Sequence, residues 1–254
     1  MFEFLRKRES DSDQKKSAPQ KQTSTQPNPQ AEAAWLAALK DRIAERKQND
    51  PLIGPKIGAK EISGRLMNGL KSEKGVHLES YLTVLGALAG FSCQMSVRVQ
   101  AGTGPIAWAV AHGKDGKDYY LGDALNKPLA EDNHSIWSLT AGAVQSLGDL
   151  PPDVGEIFKH VAATIGSAEF GIPRIPAKYR PGDLPINYLK VIWPKIFPVV
   201  RVICEEPTEW PILFGIAIQQ AITMGKDVIE PVSAAKIVME CAIPMSKVDL
   251  PEFY

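Results

Sequence analysis

The chain has 254 residues, of which 44% are hydrophobic and 23% are charged, values that are ordinary for a globular protein. Its 29 basic and 29 acidic side chains cancel, whereas nucleic-acid-binding proteins usually carry a basic excess, so we expect no nucleic-acid partner. The length suits one large domain or two small ones. These values exclude collagen, fully disordered chains and disulfide-rich scaffolds, but they indicate no activity.

A segment near the start of the chain, residues 10–30, is almost free of apolar residues. Between residues 10 and 30 only Ala18 is apolar, and the others are mostly Ser, Thr, Gln, Pro and charged residues. A segment that buries so little apolar surface cannot offset the entropy lost on ordering, so we predict a disordered tail over residues 1–28. The same composition is typical of type-III secretion signals, which makes a secreted effector one functional alternative.

Residues 29–50 are predicted to form an exposed amphipathic helix, an arm in front of the main domain. Pro29 suits the first helical turn, and Glu32 lies near the positive end of the helix dipole. The apolar stripe of this helix is narrow, so it could dock either on its own domain or on a partner protein. The partner-binding candidates on this helix are Trp35, Leu39 and Ile43.

A compact, mainly helical domain is predicted over residues 52–254. A helix is predicted to start near Val76. After Glu79 it is apolar nearly all round, which favours a central position, and Gly86 and Gly90 would let another helix approach closely. We predict about seven helices and assign the fold as α+β, predominantly helical, with a small antiparallel β-hairpin or meander near residues 91–122.

The β element and two of the helices have local signals. Residues 91–100 alternate between apolar and polar side chains, so a strand and an extension of the preceding helix are equally favoured. Residues 106–121 contain two alternating stretches around a short glycine-containing turn, which predicts a hairpin. Farther along the chain, Ser135 can cap one helix and Asp153 begins another.

The second half of the domain is rich in proline. Pro194 and Pro198 interrupt the apolar stretch 187–204, and because proline disrupts a helix interior we predict two short helical pieces that meet near Trp193. The loop over residues 167–186 is unusually long, and its aromatic and cationic residues either form a binding surface or pin the loop to the domain. The partner-binding candidates in this loop are Arg174, Lys178, Tyr179 and Arg180.

A cysteine hydrolase is the enzymatic alternative. Such an enzyme needs a thiolate, a histidine base and a group that orients the histidine. The candidates are Cys93 near the end of the central helix, His112 at the end of a hairpin strand, and Asp123 as the orienting carboxylate. However, Cys93 lies within an apolar run, which raises the pKa of a thiol and favours a buried structural role.

The remaining sequence signals concern the cellular compartment and the possible ligands of the protein. The histidines and carboxylates match no recognised metal-ligand spacing, and no phosphate-binding motif occurs, so we expect neither a metal ion nor a cofactor. Three well-separated cysteines suit a reducing cytoplasm, and no apolar stretch reaches the ~18 residues of a membrane span. We therefore expect a non-enzymatic cytoplasmic interaction or accessory protein that binds a protein partner and could also self-associate.

Overall fold

The computed structural model describes residues 29–102 and 104–253, and these residues form nine α-helices and four short β-strands. The helices are α1 (Pro29–Lys47), α2 (Ile53–Leu70), α3 (Leu78–Ala101), α4 (Asp123–Asn126), α5 (Ile136–Ser146), α6 (Val154–Thr164), α7 (Pro185–Ile203), α8 (Glu209–Gly225) and α9 (Pro231–Met245). The strands are β1 (Lys71–Ser72), β2 (Gly75–Val76), β3 (Ala109–His112) and β4 (Asp118–Leu121).

The predicted fold class is confirmed. The described part of the chain is predominantly helical, and β3 and β4 form a small antiparallel hairpin inside the range predicted for the β element. A second, two-residue pairing of β1 with β2 joins α2 to α3 and was not predicted. The predicted disordered tail over residues 1–28 lies outside the described residues.

Helices α3, α8 and α9 form the centre of the molecule. In α3 every residue from Ser80 to Ser96 is buried, and α9 is buried continuously from Ile237 to Met245. A Cβ atom on Gly86 would lie 2.6 Å from the carbonyl oxygen of Val238, and one on Gly90 would collide with the backbone of Ala242. The absence of side chains at these glycines therefore sets how closely α3 and α9 approach.

Helix α3 is also the one helix among the described residues that is long and apolar enough to cross a membrane. In the relevant window 83% of the residues are buried inside the protein. Its neighbours α8 and α9 cover this apolar surface, as expected for the core helix of a globular domain.

The strand alternative for residues 91–100 is wrong, because α3 continues to Ala101. The alternating polar residues are accommodated inside the core by hydrogen bonds. The Ser92 hydroxyl donates to the carbonyl of Ala89 at 2.7 Å, and the Gln94 amide donates to two carbonyls beyond the end of α9. Since all sides of α3 are covered up to Ser96, the alternation there does not separate an inner face from an outer face.

The prediction of two helical pieces over residues 187–204 is also wrong. Helix α7 runs continuously through Pro194 and Pro198. Both prolines lie on its exposed side, while Trp193, Ile196 and Val200 are buried. The carbonyls that lose a donor therefore face the solvent, where water can satisfy them.

Helix α1 packs on its own domain. Leu39 and Ile43 are buried and belong to the main hydrophobic core. Glu32 accepts a hydrogen bond from Arg65 of α2 at 2.6 Å, and Lys40 forms an ion pair with Glu205 beyond α7. The narrow apolar stripe is thus used within the chain.

Candidate functional site

Strands β3 and β4 form a short antiparallel hairpin. Its register pairs Ala109 with Leu121 and His112 with Asp118, and the turn closes with Gly113 and Gly116. Gly116 has a φ of +77°, a left-handed conformation that favours glycine. The sequence therefore specifies this hairpin locally.

One face of the hairpin is held against α3 by stacked side chains. The guanidinium of Arg98 lies 4.6 Å from the ring centres of both Trp108 and Tyr120. The Tyr120 hydroxyl donates to Asp249 at 2.9 Å, and Asp249 also forms an ion pair with Arg98. This cluster joins three distant parts of the chain, so no local sequence signal identifies it.

The segment after α9, residues 246–250, which we call the C-terminal strap, covers one edge of the hairpin. The backbone N–H of Tyr120 donates to the carbonyl of Lys247 at 2.9 Å, and Tyr119 pairs with Val248 in an antiparallel bridge. The buried amide of Gln94 donates to the carbonyls of Ser246 and Val248, which fixes the strap on α3. The strap thus protects β4.

The opposite edge of the hairpin, formed by β3, is open. The backbone groups of successive residues in a strand point to opposite edges. Because the Tyr120 N–H points to the strap, Tyr119 and Leu121 form the hydrogen bonds to Ala111 and Ala109 of β3. The N–H and C=O groups of Val110 and His112 then point outward. No other described residue forms a hydrogen bond with these four groups.

This open edge carries no charged side chain that would discourage strand pairing. Proteins normally guard edge strands with charged side chains, bulges or covering segments. Residues 105–112 carry no Lys, Arg, Asp or Glu, and Val110 is 43% exposed. The short length of β3 is its main protection, and Pro105 limits pairing at one end. The edge can therefore accept an extended segment of roughly four residues.

The three hydrolase candidates are placed in different environments. Cys93 is fully buried, and its thiol donates to the carbonyl of Ala89 at 3.3 Å. Burial raises the pKa of this thiol well above its ordinary range. His112 has an exposed side chain that contacts Asp118 at 2.6 Å, and Asp123 begins α4. No hydrogen bond or ion pair among the described residues connects Cys93 with either of them, so the geometry gives this thiol no base.

The candidates in the proline-rich loop mostly serve to hold the loop on the domain. Arg174 binds the buried carboxylate of Glu240 on α9 through both its guanidinium and its backbone N–H. Tyr179 is buried, and Lys178 lies over its ring, 4.3 Å from the ring centre. Arg180 is exposed. On α1, Trp35 stays partly exposed beside Arg65, unlike the other two candidates on that helix.

A cleft of about 440 Å³ lies on the strap side of the hairpin. Its lining includes the apolar residues Phe170, Ile186 and Met245. The three aspartates in its lining are engaged within the protein, since Asp115 accepts from the Tyr119 hydroxyl, Asp118 contacts His112 and Asp249 accepts from the Tyr120 hydroxyl. These aspartates therefore take part in contacts within the protein.

Within the described ranges, no group of three or more His, Cys, Asp or Glu side chains is placed to hold a metal ion. Comparison with known proteins found no matching family model, no matching curated protein and no matching solved structure.

Proposed function

We propose that this protein is a non-enzymatic cytoplasmic interaction protein that binds an extended segment of a partner protein as an added strand on β3. The observation that carries the proposal is the open edge of β3, where four backbone hydrogen-bonding groups face outward in an uncharged stretch. Strand addition is a common mode of peptide recognition, because the backbone provides affinity and the side-chain positions provide specificity.

The side chains around this edge indicate what kind of segment fits. Val110 and Trp108 lie on the face of the hairpin that carries Tyr120, and they offer apolar contacts. On the other face Ala109 and Ala111 are small, which leaves room for larger side chains of an incoming strand. The expected partner segment is therefore uncharged and carries apolar side chains at alternate positions.

The expected affinity is modest. Each backbone hydrogen bond contributes a net ~0.5–1.5 kcal/mol, so four bonds supply only a few kcal/mol. Burial of side chains beside Val110 and Trp108 has to add the remainder. A short edge of this kind suits a reversible interaction better than a permanent one.

Two further observations support the non-enzymatic and cytoplasmic parts of the proposal. The only thiols among the described residues, Cys93, Cys204 and Cys241, are free and buried, and burial raises the pKa of each. Buried thiols of high pKa are poor nucleophiles. Free cysteines that remain unpaired fit a reducing compartment.

The test compares Val110→Pro with Val110→Thr. Proline removes the outward N–H of Val110 but breaks no hydrogen bond to β4, whereas threonine keeps both the N–H and the branched shape. Each full-length variant carries a photo-crosslinking residue in place of Ala109 and is expressed in the native host. Crosslinked proteins are then identified by mass spectrometry.

We expect a defined protein to be crosslinked by the wild type and by Val110→Thr, with at least a tenfold loss for Val110→Pro. Equal crosslinking by both variants, or none by any of them, would contradict the proposal. Self-association of the purified chain that is lost only in Val110→Pro would replace the partner protein by a second copy of this chain.

A further inference from the structure

Lys247 is a buried lysine in the C-terminal strap. Its exposed fraction is only 3%. Lysines in such positions usually extend along apolar surface until the ammonium group reaches water. Here the backbone is fixed on both sides, by Gln94 at Ser246 and Val248 and by Tyr120 at Lys247 itself. The side chain is therefore held inside the protein.

Few polar contacts offset the free-energy cost of burying the amine of Lys247. Nζ donates to the side-chain oxygen of Asn126 on α4 at 3.2 Å. Within the described part of the chain, no carboxylate lies within 4.0 Å of it. An ammonium ion without a counter-charge in such a site is costly.

The titratable groups around Lys247 do not supply the missing charge. Cys93 faces it from α3, but burial raises the pKa of that thiol and keeps it neutral. The carboxylate of Asp132, which follows the turn after α4, raises the pKa of the Cys93 thiol further. Within the strap, Asp249 is engaged with Arg98 and Tyr120. Burial consequently lowers the pKa of Lys247 to about 8.

We propose that Lys247 is a proton-operated latch, in which uptake of a proton by its amine favours release of the C-terminal strap from α3 and from β4. Release exposes the ammonium to water and breaks the hydrogen bonds that Gln94 and Tyr120 make to the strap. It also opens the second edge of the hairpin. The latch is independent of whether β3 binds a partner.

The direction and size of the effect follow from linkage. A released Lys247 regains the ordinary pKa of 10.5, so the released state binds a proton more readily than the closed state. The free energy that favours the closed state therefore decreases as the pH falls from 10.5 to 8, and it stays constant below pH 8. Between pH 9.5 and pH 7.5 the opening constant is expected to rise about 20-fold.

The experiment measures amide hydrogen exchange in the full chain at pH 7.5 and pH 9.5, corrected for intrinsic exchange rates. The probes are the amide of Tyr120, which donates to the strap, and the amides of residues 246–253. We expect opening in the wild type to be about 20-fold more frequent at pH 7.5 than at pH 9.5, and nearly pH-independent in Lys247→Met. Lys117→Met, which replaces an exposed lysine of the hairpin, should behave like the wild type.

Equal pH dependence in the wild type and in Lys247→Met would overturn the latch. A second measurement covers the case in which Lys247→Met does not fold. The pKa of the Lys247 side chain is determined by NMR titration of the wild type, and a value near 10.5 would equally overturn the proposal.

Discussion

The α3–α9 crossing and the β3–β4 hairpin are held in place by different interactions. At the crossing, glycines bring two helix backbones together, and the residues around them are buried. The hairpin is held by hydrogen bonds, a stacked guanidinium and a strap on one edge, while its other edge faces solvent. The crossing therefore tolerates almost no added atom, whereas the β3 edge of the hairpin leaves backbone groups without a hydrogen-bond partner among the described residues.

The largest effect is expected at the crossing. Gly90→Ala places a methyl group into the backbone of Ala242 and should destabilise the protein by about 3 kcal/mol or more, because overpacking forces the helices apart. The matched control is Gly64→Ala on α2, where a Cβ would meet nothing within 4 Å. That variant should stabilise the fold by about 0.4–1 kcal/mol. Denaturant unfolding of both variants tests this, and similar midpoints would show that the crossing is not tightly packed.

The next effect concerns the anchor between the proline-rich loop and α9. Glu240→Ala leaves the backbone N–H of Arg174 without its acceptor and removes a buried carboxylate, and it should cost about 2–3 kcal/mol. Arg174→Ala should cost the same or more, because it leaves the carboxylate buried without its cation. A double-mutant cycle from urea unfolding should give a coupling energy of at least about 1 kcal/mol. A coupling energy near zero would mean that the loop is held mainly by Tyr179.

A stabilising change is expected beneath the hairpin. Lys247→Met removes a buried ammonium group and should raise the free energy of unfolding at pH 7 by about 1–3 kcal/mol. In the wild type this cost is fully present below pH 8 and disappears as the pH rises towards 10.5, because burial lowers the pKa of Lys247. The gain of the variant should therefore shrink over the same interval. Thermal unfolding at several pH values checks this, and a destabilised variant at pH 7 would contradict it.

The smallest effect is expected at the open edge. Val110→Pro should change stability by less than about 1 kcal/mol, because the N–H that it removes faces solvent. Ala111→Pro is the contrasting variant, since it removes a hydrogen bond to β4 and should cost about 3 kcal/mol. Circular-dichroism melts distinguish them. If Val110→Pro were the more damaging of the two, the outward direction assigned to Val110 would be wrong.

The success of the sequence-based predictions depended on how local the signal was. The hairpin, the glycines of α3 and the helix that begins after Ser135 were predicted from residues close in sequence, and the structure confirms them. Two predictions were wrong. The strand alternative for residues 91–100 assumed that one side of the element faces solvent, and the two helical pieces over residues 187–204 assumed that proline interrupts a helix wherever it lies. No side of α3 faces solvent over most of its length. In α7 both Pro194 and Pro198 are exposed to solvent.

The candidate site was accessible to sequence reasoning only in part. The hairpin itself could be predicted, but its open and covered edges could not, because the strap that covers β4 lies more than 120 residues away in sequence. The surroundings of the hydrolase candidates were likewise beyond local sequence signals. Spacing places Cys93 and His112 nineteen residues apart, but only the packing around α3 shows that the thiol is buried while the imidazole stays exposed.

The sequence by itself determined the helical character, the positions of the capped helices and the turn of the hairpin. Ser135 and Asp153 accept hydrogen bonds from the first turns of α5 and α6, and such bonds need only neighbouring residues. Only the tertiary structure decided that the strap covers β4, that Lys247 is enclosed without a counter-charge and that the edge of β3 stays open. These features depend on contacts between segments far apart in the chain, whose free energy no local pattern encodes.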